Sequence, residues 1–295
     1  MKKVLVIVGP TASGKTSFGI ECAGLFGGEI ISGDSIQVYR GHDIGSAKAT
    51  REERKEAVHH LIDILDPHEH YSVKEFQEMG RELIDRLTEE NKLPVVVGGT
   101  GLYIKALLYD YTFFEETEKD DPYDELSNEE IYDILKKEDP GAIEKLHVHN
   151  RKRLVRALNI LRKHNEGISK IKEKQKHEMI YDALIIGLTM DREELYRRLE
   201  ERVEQMVKDG LVEEIDNLLR NGVTFDDQSM QAIGYKEFRG YFSGNRSVSD
   251  CVEDIKKNTR RFAKRQYTWF NNQMPIHWYE DRKDALEDIR KWLNT

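Results

Sequence analysis

The sequence predicts an α/β fold, a parallel sheet with helices on both faces, carrying a helical insertion. Three observations carry this. Runs of β-branched and aliphatic residues recur at Lys3–Val8, Pro94–Val97 and Ala183–Leu188, the mark of strands buried on both faces. A helical pattern follows each of them. The section from about Thr112 to Tyr181 breaks the rhythm: it is highly charged, has no buried strand run, and spaces its apolar residues as helices do.

Lys3–Val8 ends in Gly-Pro, and a helical pattern follows from about Lys15 to Phe26. A short strand, Glu29–Ser32, comes next. Pro94–Val97 enters Gly98-Gly99-Thr100-Gly101, after which Leu102–Leu108 resumes a helix. In the insertion, Ile131 and Leu135, then Leu154, Leu158 and Leu161, mark helical faces. Ala183–Leu188 leads into one long helix, from about Arg192 to Asn221, with the apolar stripe Leu195, Leu199, Val203 and Met206. The expected division is a core of residues 1–111 and 182–295 with a helical insertion at 112–181.

No stretch of about 18 apolar residues occurs, so no membrane helix is expected. The opening Met1–Val8 is too short for a signal peptide. Cys22 and Cys251 are isolated thiols in helical patterns, which fits a reducing compartment, and a cytoplasmic protein is expected. The formal net charge of −9 argues against a nucleic-acid partner only if charge is uniform. It is not uniform. Acidic residues gather in Glu115–Glu130, whereas Arg151–Lys163 and Lys256–Arg265 are basic clusters without an Asp or Glu.

The strongest motif is Gly9-Pro10-Thr11-Ala12-Ser13-Gly14-Lys15-Thr16, a G-x-x-x-x-G-K-[ST] pattern between a buried strand and a helix. Backbone amides of such a loop and the helix N-terminus point at a polyphosphate. Lys15 adds a mobile positive charge and Thr16 a hydroxyl suited to Mg²⁺. A nucleotide is the default ligand, but any diphosphate leaving group has the same chemistry.

Six further blocks carry a resemblance. They are Ser32-Gly-Asp34-Ser35-Ile36-Gln37-Val-Tyr through Gly45-Ser-Ala-Lys48, His59-His60-Leu-Ile-Asp63, and Val97-Gly-Gly-Thr100-Gly-Leu-Tyr103. Lys152-Arg153-Leu-Val-Arg156, Gln231-Ala-Ile-Gly234-Tyr235-Lys236 and Ala263-Lys264-Arg265-Gln266-Tyr-Thr-Trp269-Phe follow in order. Together they resemble the tRNA dimethylallyltransferase family over nearly the whole chain, from Val4 to about Trp278. The chain departs from the family pattern at Ala49, Val58 and Val148, where Pro is usual, and matches it poorly over Thr112–Gly141.

The resemblance implies a P-loop, nucleotide-kinase-like core with a helical insertion domain that contacts tRNA. It implies transfer of a dimethylallyl group from dimethylallyl diphosphate to the adenosine beside the anticodon, with Mg²⁺ as cofactor. The loop Gly9–Thr16 and Arg202 would hold the diphosphate, and Asp34 would accept the proton from adenine N6. Without the resemblance, Asp34 reads more readily as an Asx turn or a distant Mg²⁺ partner than as a base. Arg202 borders the apolar stripe of its helix, where a cation is costly unless paired; from the residues alone, snorkelling or an ion pair with a helix neighbour is the readier explanation, and the resemblance reverses this.

Residues Asp34–Gln37 and Thr100 are implied to meet the target nucleotide. Lys152, Arg153 and Arg156, the Gln231–Lys236 block, and Arg261, Lys264, Arg265 and Gln266 are implied to meet the rest of the tRNA. The last group lies on a helical pattern in which Ile255, Phe262 and Trp269 share one face and Lys257, Arg261, Lys264 and Arg265 another. A monomer is expected. The rival reading from the loop motif alone is a nucleoside or small-molecule kinase using ATP. His147-Val-His149 has no partner spaced to complete a metal site, and His59-His60 is read as packing and local hydrogen bonding.

Overall fold

The computed structural model describes residues 1–111, 113, 122–144, 146–174 and 178–295. Part of the acidic stretch Glu115–Glu130 and the expected boundary at Thr112 lie outside the described residues. The chain divides into two compact units, Met1–Leu108 with Met179–Thr295, and Tyr109–Glu178.

The larger unit is built on a six-stranded parallel sheet of order β3-β2-β4-β1-β5-β6. These strands are β1 (Lys3–Val8), β2 (Gly28–Ser32), β3 (His59–His60), β4 (Leu93–Gly98), β5 (Asp182–Leu188) and β6 (His277–Tyr279). β1 is central, with Leu5 opposite Val95 of β4 and Leu184 of β5. Its side chains alternate. Leu5 and Ile7 join a core with Phe18, Ile20 and Cys22 of helix α1 (Lys15–Phe26), while Val4, Val6 and Val8 are fully buried on the opposite face. Burial on both faces is why these strands read as unbroken apolar runs.

A short α2 (Glu53–Glu56) precedes β3, and α3 (Val73–Glu89) and α4 (Gly101–Leu108) bracket β4. Ser72 and Glu75 form a capping box that starts α3, and Phe76, Ile84 and Leu87 bury its apolar stripe. The two edge strands have two and three residues, too short to stand out as runs in the sequence.

In the smaller unit, α5 (Asn128–Glu138), α6 (Pro140–Ile143), α7 (Arg151–His164) and α8 (Ile168–Lys174) follow one another. Ile131 and Leu135 of α5 pack against Leu154, Leu158 and Leu161 of α7, the residues whose spacing marked them.

The single helix expected over Arg192–Asn221 is two helices, α9 (Arg192–Lys208) and α10 (Leu211–Arg220). Gly210 breaks it by adopting φ 102°, a left-handed conformation that costs glycine nothing. The turn lets α10 fold back, with Leu211 and Ile215 packing on Val203 of α9. A short α11 (Arg239–Phe242) then leads to α12 (Val248–Gln273), and α13 (Arg282–Leu293) closes the chain over β5 and α1. α12 starts eight residues before the basic run, at a capping box of Ser247 and Asp250.

Candidate active site

The carboxyl ends of β1, β2 and β4 meet on one edge of the sheet, the position where open α/β sheets place ligands. β1 runs into the 9–14 loop. Gly9 (φ 150°), Ala12 (φ 67°) and Gly14 (φ 83°) take positive φ there, folding the loop into a concave backbone turn. A side chain at Gly9 would strike the carbonyl oxygen of Leu188, at 2.7 Å, so the loop needs glycine at that place. Gly14 caps α1 without a side chain, which leaves the first amides of the helix directed at the loop. Not every loop amide is open: Thr11 N–H donates to Gln266 Oε1 at 3.2 Å, and Ser13 N–H to the Pro10 carbonyl at 3.3 Å.

Three adjoining cavities surround this loop. The largest, of about 840 Å³, lies between Gly14–Ser17, the 43–54 segment and α9. A chamber of about 90 Å³ behind it is lined by Thr11, Lys15, Thr16, Asp34, Gln37, Thr100, Phe262 and Gln266. A third, of about 420 Å³, opens beyond Asp34 among Ser35, Ile36, Thr100, Gln231, Gly234, Lys236, Phe262 and Arg265. Arg202 lines all three, and Asp34 lines the second and third. The sheet edge, α9 and α12 thus bring Lys15, Thr16, Asp34, Thr100 and Arg202 around one continuous cleft.

Two cations in it are uncompensated. Lys15 folds its ammonium onto the Pro10 carbonyl at 2.7 Å and makes no ion pair among the described residues. Burial pulls its pKa down to about 7, and the charge of Arg202 adds to this while Asp34 opposes it. Arg202 likewise has no ion-pair partner among the described residues. Burial lowers its pKa too, with Asp34 and Glu53 pulling the other way. The ion pair that would have given Arg202 a structural reading is absent from these contacts. Two desolvated cations 187 positions apart in sequence, both facing a cavity, make a site for a multiply charged anion.

Asp34 does form an Asx turn: Oδ1 accepts from Ile36 N–H at 2.8 Å and Gln37 N–H at 3.3 Å. Oδ2 has no hydrogen-bond partner among the described residues, and the side chain lines the cleft. The turn and an open acceptor therefore coexist in one carboxylate. Gln37 serves the loop: its amide joins Ser32 Oγ (3.1 Å) to the carbonyls of Ser46 and Ala47 (3.4 and 3.3 Å).

Other expected residues fall into two groups. Lys152, Arg153 and Arg156 of α7, and Lys257, Arg261, Lys264 and Arg265 of α12, are exposed. On α12 the structure separates what the sequence could not. Lys256 pairs with Glu204 and Glu253, and Arg260 with Glu200 of α9, while the other four cations remain on the open face. Lys236 is also exposed.

Tyr235, by contrast, is fully buried, its hydroxyl donating to Glu214 at 2.7 Å. Gly234 N–H donates to Glu237 and Gln231 donates to the Phe225 carbonyl, so this block chiefly shapes the wall of the third cavity. Gln266 is buried as well.

Glu214 on α10 was missed by sequence reasoning. Its carboxylate accepts from the amides of Asp43 (3.0 Å), Ile44 (2.7 Å) and Gly45 (3.2 Å), holding the segment that frames all three cavities. Nothing in an amphipathic helix with several acids singles this one out.

The pattern of IPP transferase matches residues 37–273, more than half of the chain. The chain belongs to the IPP transferase family. It is 45% identical over 292 residues to a tRNA dimethylallyltransferase from Anoxybacillus flavithermus, covering 98% of this chain and 94% of that one. It is 47% identical over 291 residues to another from Macrococcus caseolyticus, covering 97% and 93%. Among solved structures, a tRNA isopentenylpyrophosphate transferase from Staphylococcus epidermidis superposes with a TM-score of 0.74 at 42% identity, over 100% of this chain and 99% of that one. A eukaryotic dimethylallyltransferase captured acting on tRNA gives a TM-score of 0.84 at 30% identity, over 96% and 75%.

Proposed function

We propose that this enzyme transfers a dimethylallyl group from dimethylallyl diphosphate to N6 of the adenosine 3′ of the anticodon, tRNA position 37. The tRNAs are those reading codons that begin with U, and diphosphate is released. The observation that carries the reading is the single cleft that Lys15 and Arg202, cations without an ion-pair partner among the described residues, line together with Asp34, whose field reaches both. Membership of the IPP transferase family supports it.

The chemistry needs both ends of that cleft. N6 of adenine is a poor nucleophile because its lone pair is delocalised into the ring. As N6 bonds to C1 of the allyl group, the C1–O bond breaks and its electron pair leaves on the diphosphate. Lys15, Arg202 and the open amides at the start of α1 gather that charge. Asp34 Oδ2 takes the proton that N6 sheds. Thr11 and Thr16 add hydroxyl donors at the diphosphate end.

Among the described residues no three His, Cys, Asp or Glu side chains cluster as a metal cage. A lone threonine hydroxyl beside a diphosphate suits Mg²⁺, which keeps most of its waters and takes few protein ligands. Thr16 would hold it, and when bound it supplies further neutralisation of the leaving oxygens.

The third cavity is where the flipped adenosine enters, past Ile36, Thr100 and Phe262. The exposed basic faces of α7 and α12 supply phosphate contacts to the anticodon stem-loop.

The test is intact-mass analysis of unmodified tRNA incubated with the protein, Mg²⁺ and dimethylallyl diphosphate. A gain of one five-carbon unit per tRNA is expected. Unchanged tRNA together with phosphorylation of a nucleoside by ATP would replace this reading with a kinase.

A further inference from the structure

We infer that Gln266 is a positioning residue that sets the spacing between the diphosphate loop and the nucleotide loop. The inference rests on the reading of those loops given above. Gln266 is 5% exposed, on the inner face of α12, and both ends of its amide are engaged. Oε1 accepts from Thr11 N–H of the 9–14 loop at 3.2 Å. Nε2 donates to the Gly99 carbonyl at 3.0 Å, next to Thr100. One planar amide thus spans the two segments that must present the two reactants to each other.

The same contact explains the glycines of Gly98-Gly99-Thr100-Gly101, which a turn alone leaves open. A Cβ on Gly99 would fall on Gln266 Nε2, and one on Gly101 would fall on the ring of Trp269. Phe262, Gln266 and Trp269 stand four and three residues apart, one stripe of the helix. That stripe is pressed against the loop, and the loop lacks side chains where the helix comes closest.

The opposite face of α12 carries Lys257, Arg261 and Lys264, open to solvent, while Arg265 lies to one side, over the Phe262 ring at the third cavity. The rod that meets RNA phosphates outside therefore fixes both substrate loops inside. Both ends of the Gln266 amide are taken up by the two loops, so its role in this reading is geometric although it borders the chamber. An in-line displacement tolerates little error in distance, since a misplacement of about 1 Å can cost about 100-fold in rate.

Two variants and wild type are compared for single-turnover alkylation of tRNA, for KM of each substrate, and for melting temperature. Gln266→Met keeps the volume and loses both hydrogen bonds; its kcat should fall about 10- to 100-fold with both KM values within about threefold. Gln266→Glu keeps the acceptor toward Thr11, but its ionised form sets a carboxylate oxygen against the Gly99 carbonyl. Its protonated form restores a donor there. Relative to wild type, its kcat should therefore rise as pH falls from about 8 to about 5.5, while the Gln266→Met ratio stays flat.

A purely structural role would lower the melting temperature and leave kcat per folded molecule unchanged in both variants, which would overturn the inference. A rise in KM for tRNA alone would also overturn it, returning Gln266 to an RNA-contact role. Failure of wild type to alkylate tRNA would instead count against the proposed function itself.

Discussion

Replacing Asp34 by Asn and by Ala separates two jobs that one carboxylate performs. Oδ1 anchors the loop through Ile36 N–H and Gln37 N–H, and Oδ2 faces the cleft. Asparagine keeps the anchoring oxygen and turns the other into an NH₂ that cannot accept a proton. Loss of a positioned base costs about 10²- to 10⁴-fold in rate, or about 3–5 kcal/mol of barrier at about 1.4 kcal/mol per decade. Stability should stay close to wild type, because the Asx turn survives. Alanine loses the turn as well, two hydrogen bonds of about 0.5–1.5 kcal/mol each, so about 1–3 kcal/mol of stability should go with the activity. The assay is single-turnover mass spectrometry at saturating tRNA and diphosphate, beside thermal melts of both variants. Asp34→Asn within about threefold of wild type, with Asp34→Ala slow and unstable, would refute the base and leave only the turn.

Diphosphate binding should take up protons above neutrality. With Lys15 at about 7 in the free enzyme, binding an anion raises its pKa, so about half a proton is absorbed near pH 7 and more at pH 8. Below about pH 6 the ammonium is already charged and uptake should vanish; calorimetry in buffers of different ionisation heat reads this, and Lys15→Met should abolish it. Glu214→Ala should lower unfolding stability in urea by about 2–4 kcal/mol, because it unties three loop amides and the Tyr235 hydroxyl at once. Replacing Arg261 and Lys264 by Ala should leave the rate at saturating tRNA unchanged and weaken tRNA binding. The log–log salt slope should fall by about one per cation removed, measured by filter binding from 50 to 200 mM salt.

How much of this was legible in the sequence depended on whether a residue's task was local. The strands around the site announce themselves because both faces are buried, and the Gly9–Thr16 loop because its conformation demands its residue types. α3 has a local signature too, the Ser72–Glu75 box and the apolar stripe after it, although no strand-like run or motif draws attention to that stretch. The break at Gly210 was also available, since glycine inside a helical pattern is a stop signal once a left-handed turn is admitted.

Other features have no local signature. Glu214 and Gln266 act across 167 to 255 positions of sequence: an acid on an amphipathic helix looks like any solvated polar residue, and the block that marks Gln266 implies an RNA contact rather than a tie between two loops. The four open cations of α12 differ from Lys256 and Arg260 chiefly in the acids that α9 places opposite the latter two. Tyr235 shows the converse: its block marks the site, but the side chain is buried in the wall.

The most direct test is a crystal structure of the protein with an unreactive dimethylallyl diphosphate analogue and an anticodon stem-loop. The diphosphate should lie on the 9–16 loop within hydrogen-bond reach of Lys15 and Arg202. Adenine N6 should stand about 2.6–3.2 Å from Asp34 Oδ2. A diphosphate bound elsewhere, or an N6 facing a different acceptor, would contradict the account.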